Sequence, residues 1–228
     1  MRLLHLPENQ SLAFYLAAEE YLSEHGSEAY FFVWQTRPTV IIGHHQVLED
    51  EVNLPYCRAH SVDIFRRKSG GGCVYSDEGN LMLSCISRNP HPQEAFSTFL
   101  DTLVRALQRL GFAAVTTAHN DVLIDHRKVS GSACHTTPSG TIVHSTLLLS
   151  SNVEALQQAI TPSAEKLSHN GVQSVRQRVV TLAELGQTDK SAILRSVIST
   201  FCDDLSPLSL SADDLSAIRA IEETYDRL

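Results

Sequence analysis

The sequence predicts an α+β domain built on a largely antiparallel or mixed β-sheet packed with helices. Short β-rich runs crowd the first two-thirds of the chain, and helical periodicity takes over beyond Ser150. Strands and helices never settle into the steady alternation of a doubly wound parallel sheet. Asn9 to His25 carries Leu12, Tyr15, Leu16 and Leu22 at helical spacing, with Gly26 as its stop. Tyr30 to Trp34 and Thr39 to Ile42 read as the two strands of a hairpin around Pro38. Val62 to Arg66 is a strand opening into a glycine-rich turn, and Leu81 to Ser87 is another strand. Gln93 to Leu110 sets Phe96, Phe99, Leu100, Leu103 and Leu107 along one helical face before Gly111. Asp121 to Ile124, Lys128 to Ala133 and Ile142 to Leu149 follow as strands, the last two joined by a turn at Pro138-Ser139-Gly140. Val153 to Ile160, Ala183 to Leu185, Ser191 to Leu205 and Ala212 to Arg227 are helical.

The 228 residues are 43% hydrophobic and 19% charged, which excludes disorder and collagen-like repeats. A net charge of −8 argues against a general nucleic-acid binder while leaving room for a local basic pocket. No apolar run approaches the roughly 20 residues that span a bilayer, and Pro7 and Glu8 break the N-terminal apolar start. A cytoplasmic location is expected, with neither nucleic acid nor membrane as partner. The five cysteines include no CxxC pair, so neither a zinc site nor a disulfide framework is indicated. His44-His45 is a poor metal clip, because neighbours on a strand face opposite ways.

Three segments carry candidate chemistry. In RRKSGGGCVYSDEGN (66–80), three glycines follow three cations. Glycine lets the backbone approach a ligand, and successive N–H groups there form an anion nest. Composition alone leaves a second reading open, a tight hairpin with solvated charges. In HNDVLIDHRKVSGSACH (119–135), Lys128 precedes a run of small residues and is placed to offer its ammonium to an acyl group or phosphate. Alone, such a lysine is ordinarily a solvated surface residue. In HSTLLLSSN (144–152), His144 opens an apolar strand, where histidines are more often structural.

In this order, and with LSHNGVQSVRQRVVTLAEL (167–185) as a fourth motif, the chain resembles the lipoate–protein ligase family within the biotin/lipoate ligase superfamily. The resemblance runs from about Asn9 to Leu185. It implies a class II synthetase-like catalytic domain that activates lipoate with ATP and Mg²⁺. The lipoyl group then passes to a lysine of an apo lipoyl domain of a 2-oxoacid dehydrogenase complex or of the glycine-cleavage H protein. By motif position Lys128 is the catalytic residue. The resemblance assigns Arg67, Gly70, Gly71, Gly72, Cys73, Val74, Tyr75, Asn80, Asn120, Asp121 and Lys128 to ATP. It assigns Arg67, Ser69, Gly71, Lys128, Ser132 and His144 to lipoate, and Asp121 to the metal. Elementary chemistry agrees: joining two anions needs cations and oriented donors in place beforehand, and a mixed anhydride must be kept from water. The polar stretch Glu165 to Arg178 is a candidate closing element.

Related octanoyltransferases use a nucleophilic cysteine, and neither of its two positions, within 118–121 or within 141–143, holds one here. Cys73 and Cys134 read as small buried residues. Other departures are His135, where relatives often carry arginine, and an end at Leu228, about where larger members continue into a tryptophan-bearing strand and an accessory domain. One catalytic domain over 1–228 is expected, with 185–228 as its helical part. A complete short ligase, a catalytic subunit with a separate accessory chain and a truncated form all remain open. Rival functions are transfer from a preactivated donor, such as an acyl carrier protein or acyl-adenylate, and non-catalytic binding.

Overall fold

The computed structural model describes residues 1–89, 91–117, 121–160, 178–225 and 227–228. In chain order its elements begin with β1 (Arg2–His5), α1 (Leu12–His25), β2 (Tyr30–Trp34), β3 (Thr39–Ile42), α2 (Leu48–Glu51), α3 (Leu54–Ala59), β4 (Asp63–Arg66), β5 (Val74–Ser76) and β6 (Asn80–Ser87). They continue with α4 (Pro92–Gln108), β7 (Val115–Thr116), β8 (Asp121–Ile124), β9 (Arg127–Thr137), β10 (Gly140–Leu148), α5 (Val153–Ala159), α6 (Lys190–Phe201), β11 (Asp204–Ser209) and α7 (Ala212–Glu222).

Eight strands form one mixed sheet in the order β11-β1-β2-β6-β10-β9-β8-β7. The β11-β1-β2 end is parallel and the rest antiparallel, so the α+β expectation holds. Strand alternation sorts its side chains onto two faces. Phe31, Leu81, Leu83, Cys85, Val143 and Leu147 pack against α4 and α6. Tyr30, Phe32, Trp34, Met82, Ile86 and Ile142 pack against α1 and α7. Helix α1 is buried from Leu12 through Glu19, and Ser11 caps its start by accepting from the Phe14 N–H at 3.0 Å.

A smaller sheet, in the order β4-β3-β5, corrects the hairpin expected from Tyr30 to Ile42. β2 joins the large sheet between β1 and β6, whereas β3 pairs with β4 and β5. Apolar runs around a proline show that strands exist, not whom they pair with. Because β4 and β5 flank β3, the chain between them must cross the end of β3, and the glycine-rich turn makes that crossing. Gly43 is the residue crossed: a Cβ there would sit 2.3 Å from the Gly71 carbonyl oxygen.

Other differences are local. Gly26 ends α1 at φ −68°, so no left-handed turn is involved. Its role is to leave room, since a Cβ would meet Tyr30 at 2.4 Å and the Leu22 carbonyl oxygen at 2.6 Å. Gly111, at φ +91°, does use glycine's freedom in closing α4. Ala183 to Leu185 is a turn, α6 ends at Phe201, and residues 204–209 form the exposed edge strand β11. His44 and His45 lie in a turn, and their rings meet edge-on with centroids 4.6 Å apart. Of the expected closing element, residues 165–177 lie outside the described residues, as does Asn120.

Candidate active site

The three cations of the glycine-rich segment are each engaged by the protein itself. Arg66 donates to the carbonyls of Gly43, His44 and Gln46 at 3.0, 3.2 and 2.7 Å. Lys68 pairs with Glu20 at 2.6 Å and lies 4.9 Å from the centroid of the Tyr225 ring. Arg67 is 5% exposed. Its Nη1 donates to the Ile41 carbonyl at 3.1 Å, its Nη2 to the Gly70 and Gly72 carbonyls at 2.7 and 2.8 Å, and its Nε to Ser69 Oγ at 3.0 Å. Burial lowers this guanidinium to about 10, with Cys73 acting the other way. Arg67 is therefore not a solvated charge at the base of a hairpin: it fastens the turn from within. With the Gly70 and Gly72 carbonyls turned to Arg67, the described contacts of Gly70 to Gly72 run through carbonyls and none through an amide. That leaves the N–H groups as the turn's donors for an anion. Gly71 takes φ +93°, which a side chain resists.

The same turn is tied to the large sheet. Ser69 Oγ lies 2.8 Å from His144 Nε2, and His144 Nδ1 lies 3.0 Å from Glu19 Oε2. Glu19 Oε1 accepts from Ser84 Oγ at 2.5 Å, and Ser84 Oγ accepts from Trp34 Nε1 at 2.8 Å. Register explains the alignment, since Phe32, Ser84, His144 and Ala133 form one cross-strand row over β2, β6, β10 and β9. A Cβ built on Gly71 would stand 3.8 Å from that of Ala133, so the turn rests on β9.

Lys128 is on the same strand. A register shift between β8 and β9 pairs Asp121 with Gly131 and Leu123 with Lys128. The lysine folds back over Gly131, where a Cβ would come within 2.6 Å of both Cε and Nζ. Its Nζ lies 2.7 Å from Asp121 Oδ1, with 38% of the lysine side chain and 27% of the aspartate exposed. Ser132 donates to Ser145 at 2.9 Å on the opposite face.

Farther along, Tyr75 is buried and its hydroxyl is raised above the usual range by burial and by Asp77. Val74 and Cys73 are half-buried. Asn80 is fully buried, its amide donating to Ser76 Oγ at 3.0 Å. Cys134 is half-buried too, which corrects the buried reading for both cysteines, and burial raises the Cys134 thiol. Sequence reasoning did not single out Glu19, Ser84 or Gly43. The available signal for Glu19 was a carboxylate spaced among Tyr15, Leu16 and Leu22 on an apolar helix, which requires a partner.

A mixed sheet with helices on both faces, and a smaller sheet crossed at one end by this turn, define an α+β domain. The chain belongs to the lipoyl protein ligase A/B catalytic domain family, whose model matches residues 11–203. Lipoate–protein ligase 1 of Staphylococcus aureus (strain Mu50 / ATCC 700699) is 38% identical over 172 residues, 74% of this chain and 52% of that protein. Lipoate-protein ligase LplJ of Bacillus subtilis (strain 168) is 31% identical over 194 residues, 81% of this chain and 59% of that protein. The chain thus spans a little over half the length of these curated relatives. A solved bi-partite lipoate protein ligase from Thermoplasma acidophilum superposes with a TM-score of 0.85 at 25% identity, covering 97% of this chain and 91% of that one.

Proposed function

We propose that the chain catalyses ATP-dependent lipoylation: lipoate and ATP give lipoyl-AMP and pyrophosphate, and the lipoyl group then forms an amide with an acceptor lysine. The carrying observation is the seating of the glycine-rich turn on β9 beside Lys128, within a family whose curated members are named lipoate–protein ligases. In this reading the turn's N–H groups bind phosphate oxygens, and Lys128 neutralises the carboxylate and α-phosphate as they meet. Val74, Tyr75 and Asn80 are assigned to the nucleotide and Ser69 and His144 to the acyl group, whereas Ser132, on the face opposite His144, is left out of the acyl pocket. The donors are held in place before the substrates arrive, which is where electrostatic stabilisation is strongest.

Among the described residues no cluster of three or more metal-binding side chains occurs. Asp121 alone fits Mg²⁺, which takes one or two carboxylates and completes its shell with phosphates and water. Such an ion would offset phosphate charge. Acceptors are apo lipoyl domains or the glycine-cleavage H protein, consistent with the E2 lipoyl domain described alongside the T. acidophilum ligase. The likeness to a bi-partite ligase also supports a second, accessory chain assisting activation. No described helix is long and apolar enough to cross a membrane.

The test weighs an apo lipoyl domain after incubation with the protein, Mg-ATP and lipoate. An ATP-dependent gain of one lipoyl group is expected, either with this chain alone or once an accessory chain is added. Transfer only from preformed lipoyl-adenylate would confine the chain to the second step. Failure with both donors would overturn the proposal.

A further inference from the structure

The buried row behind the glycine-rich turn contains a carboxylate that touches no part of the turn, yet is linked to it through two intervening side chains. Glu19 is 3% exposed, and its two oxygens serve Ser84 and His144. One assignment of the bonds in the row gives every donor an acceptor. Trp34 Nε1 and Arg67 Nε, at opposite ends, can only donate. Ser84, having accepted from Trp34, passes its own proton to Glu19. Ser69, having accepted from Arg67, passes its proton to His144 Nε2. In that assignment a neutral His144 carries its hydrogen on Nδ1, where the Glu19 carboxylate receives it. Both arms converge on Glu19, and no proton in the row lacks an acceptor. The opposite tautomer would aim two donors, Arg67 Nε–H and His144 Nε2–H, at Ser69 and strand the serine's own proton.

We infer that Glu19 is a positioning residue for acyl-adenylate binding. It sets the His144 tautomer, which makes Nε2 the acceptor for Ser69, and Ser69 in turn holds Arg67 against the Gly70 and Gly72 carbonyls, keeping the turn's amides outward. This role rests on the lipoyl-adenylate reading of the site.

Glu19→Gln keeps the shape and exchanges one acceptor for a donor. With Ser84 fully buried, its proton keeps the amide oxygen and the new N–H₂ group faces His144 Nδ1. Histidine-¹⁵N NMR is expected to show Nδ1–H at His144 in the wild type and Nε2–H in Glu19→Gln. Calorimetry with a sulfamoyl analogue of lipoyl-adenylate should show affinity weakened about tenfold, matching a lost charge-assisted hydrogen bond. In a Ser69→Ala background the Glu19→Gln effect should vanish, because its route is cut. Trp34→Phe removes the far donor and should lower the melting temperature while leaving tautomer and affinity unchanged. An Nε2–H tautomer in the wild type, a Glu19→Gln variant unchanged in tautomer or affinity, or equal weakening by Trp34→Phe would each overturn the role. A wild-type chain that shows the Nδ1–H tautomer but neither binds the analogue nor transfers lipoyl would overturn the functional reading instead.

Discussion

The two halves of the candidate site are built differently. Behind the glycine-rich turn, Arg67, Ser69, His144 and Glu19 are buried, and each contact among them lies between 2.8 and 3.0 Å. Across from it, Lys128 and Asp121 make one half-exposed ion pair, and the lysine's path is set by a missing side chain at Gly131. The first half is arranged by folding and resists change. The second holds a cation against a carboxylate from which a stronger anion can draw it, since a solvated pair contributes only about 0–1 kcal/mol. Under the proposed activity, which binds a polyanion and releases a neutral amide, rigid donors serve where charge persists and a movable cation where charge disappears.

Four predictions press on this contrast. Lys128→Ala should slow adenylation by about a hundred- to a thousandfold, the loss typical of one preorganised donor, with thermal stability nearly unchanged. Single-turnover pyrophosphate release and a melting curve measure the two, and a large fall in stability would erase the distinction between halves. Arg67→Lys should do the reverse. A lysine cannot reproduce the fork to Ile41, Ser69, Gly70 and Gly72, so urea denaturation should reveal a loss of about 2–3 kcal/mol. Gly131→Ala pushes only on the flexible end of Lys128, so about a tenfold loss in activity is expected with little change in folding. Rates matching the wild type would show that the lysine's path over Gly131 is irrelevant.

The smallest effect concerns pH. Burial lowers His135 below the ordinary histidine value of 6.5, with nearby His144 acting the same way and Glu20 opposing. The folded chain therefore binds that proton less tightly than the unfolded chain, and stability falls as pH drops through 6.5 towards the folded value. His135→Gln should flatten that part of a stability–pH curve. An unaltered slope would place the acid sensitivity elsewhere.

What was legible in the sequence follows physical range. Runs with clear local periodicity, such as Asn80–Ser87, Gly140–Leu148 and Pro92–Gln108, appear within a residue or two of where they were expected. Pairing was legible across the turn at Pro138-Ser139-Gly140, where β9 and β10 do pair, but not for β2 and β3, whose partners are chosen by the burial of whole faces. The edge strand β11 escaped notice because exposed residues carry little pattern. In the site, residue types were readable and their orientation was not. Arg66-Arg67-Lys68 announces charge, yet only the crossing over β3 determines that these cations bind protein acceptors. Glu19 lies 125 residues from the histidine it contacts, a pairing that no local window contains.

Trp34 is the chain's single tryptophan, and it is stacked on Tyr15 with ring centroids 4.5 Å apart. Its indole N–H ends the hydrogen-bonded row whose other end is Arg67. The molecule thus carries an intrinsic optical gauge, free of any second indole to blur it. Any rearrangement of the row is readable in the emission of this one fluorophore, without an added dye.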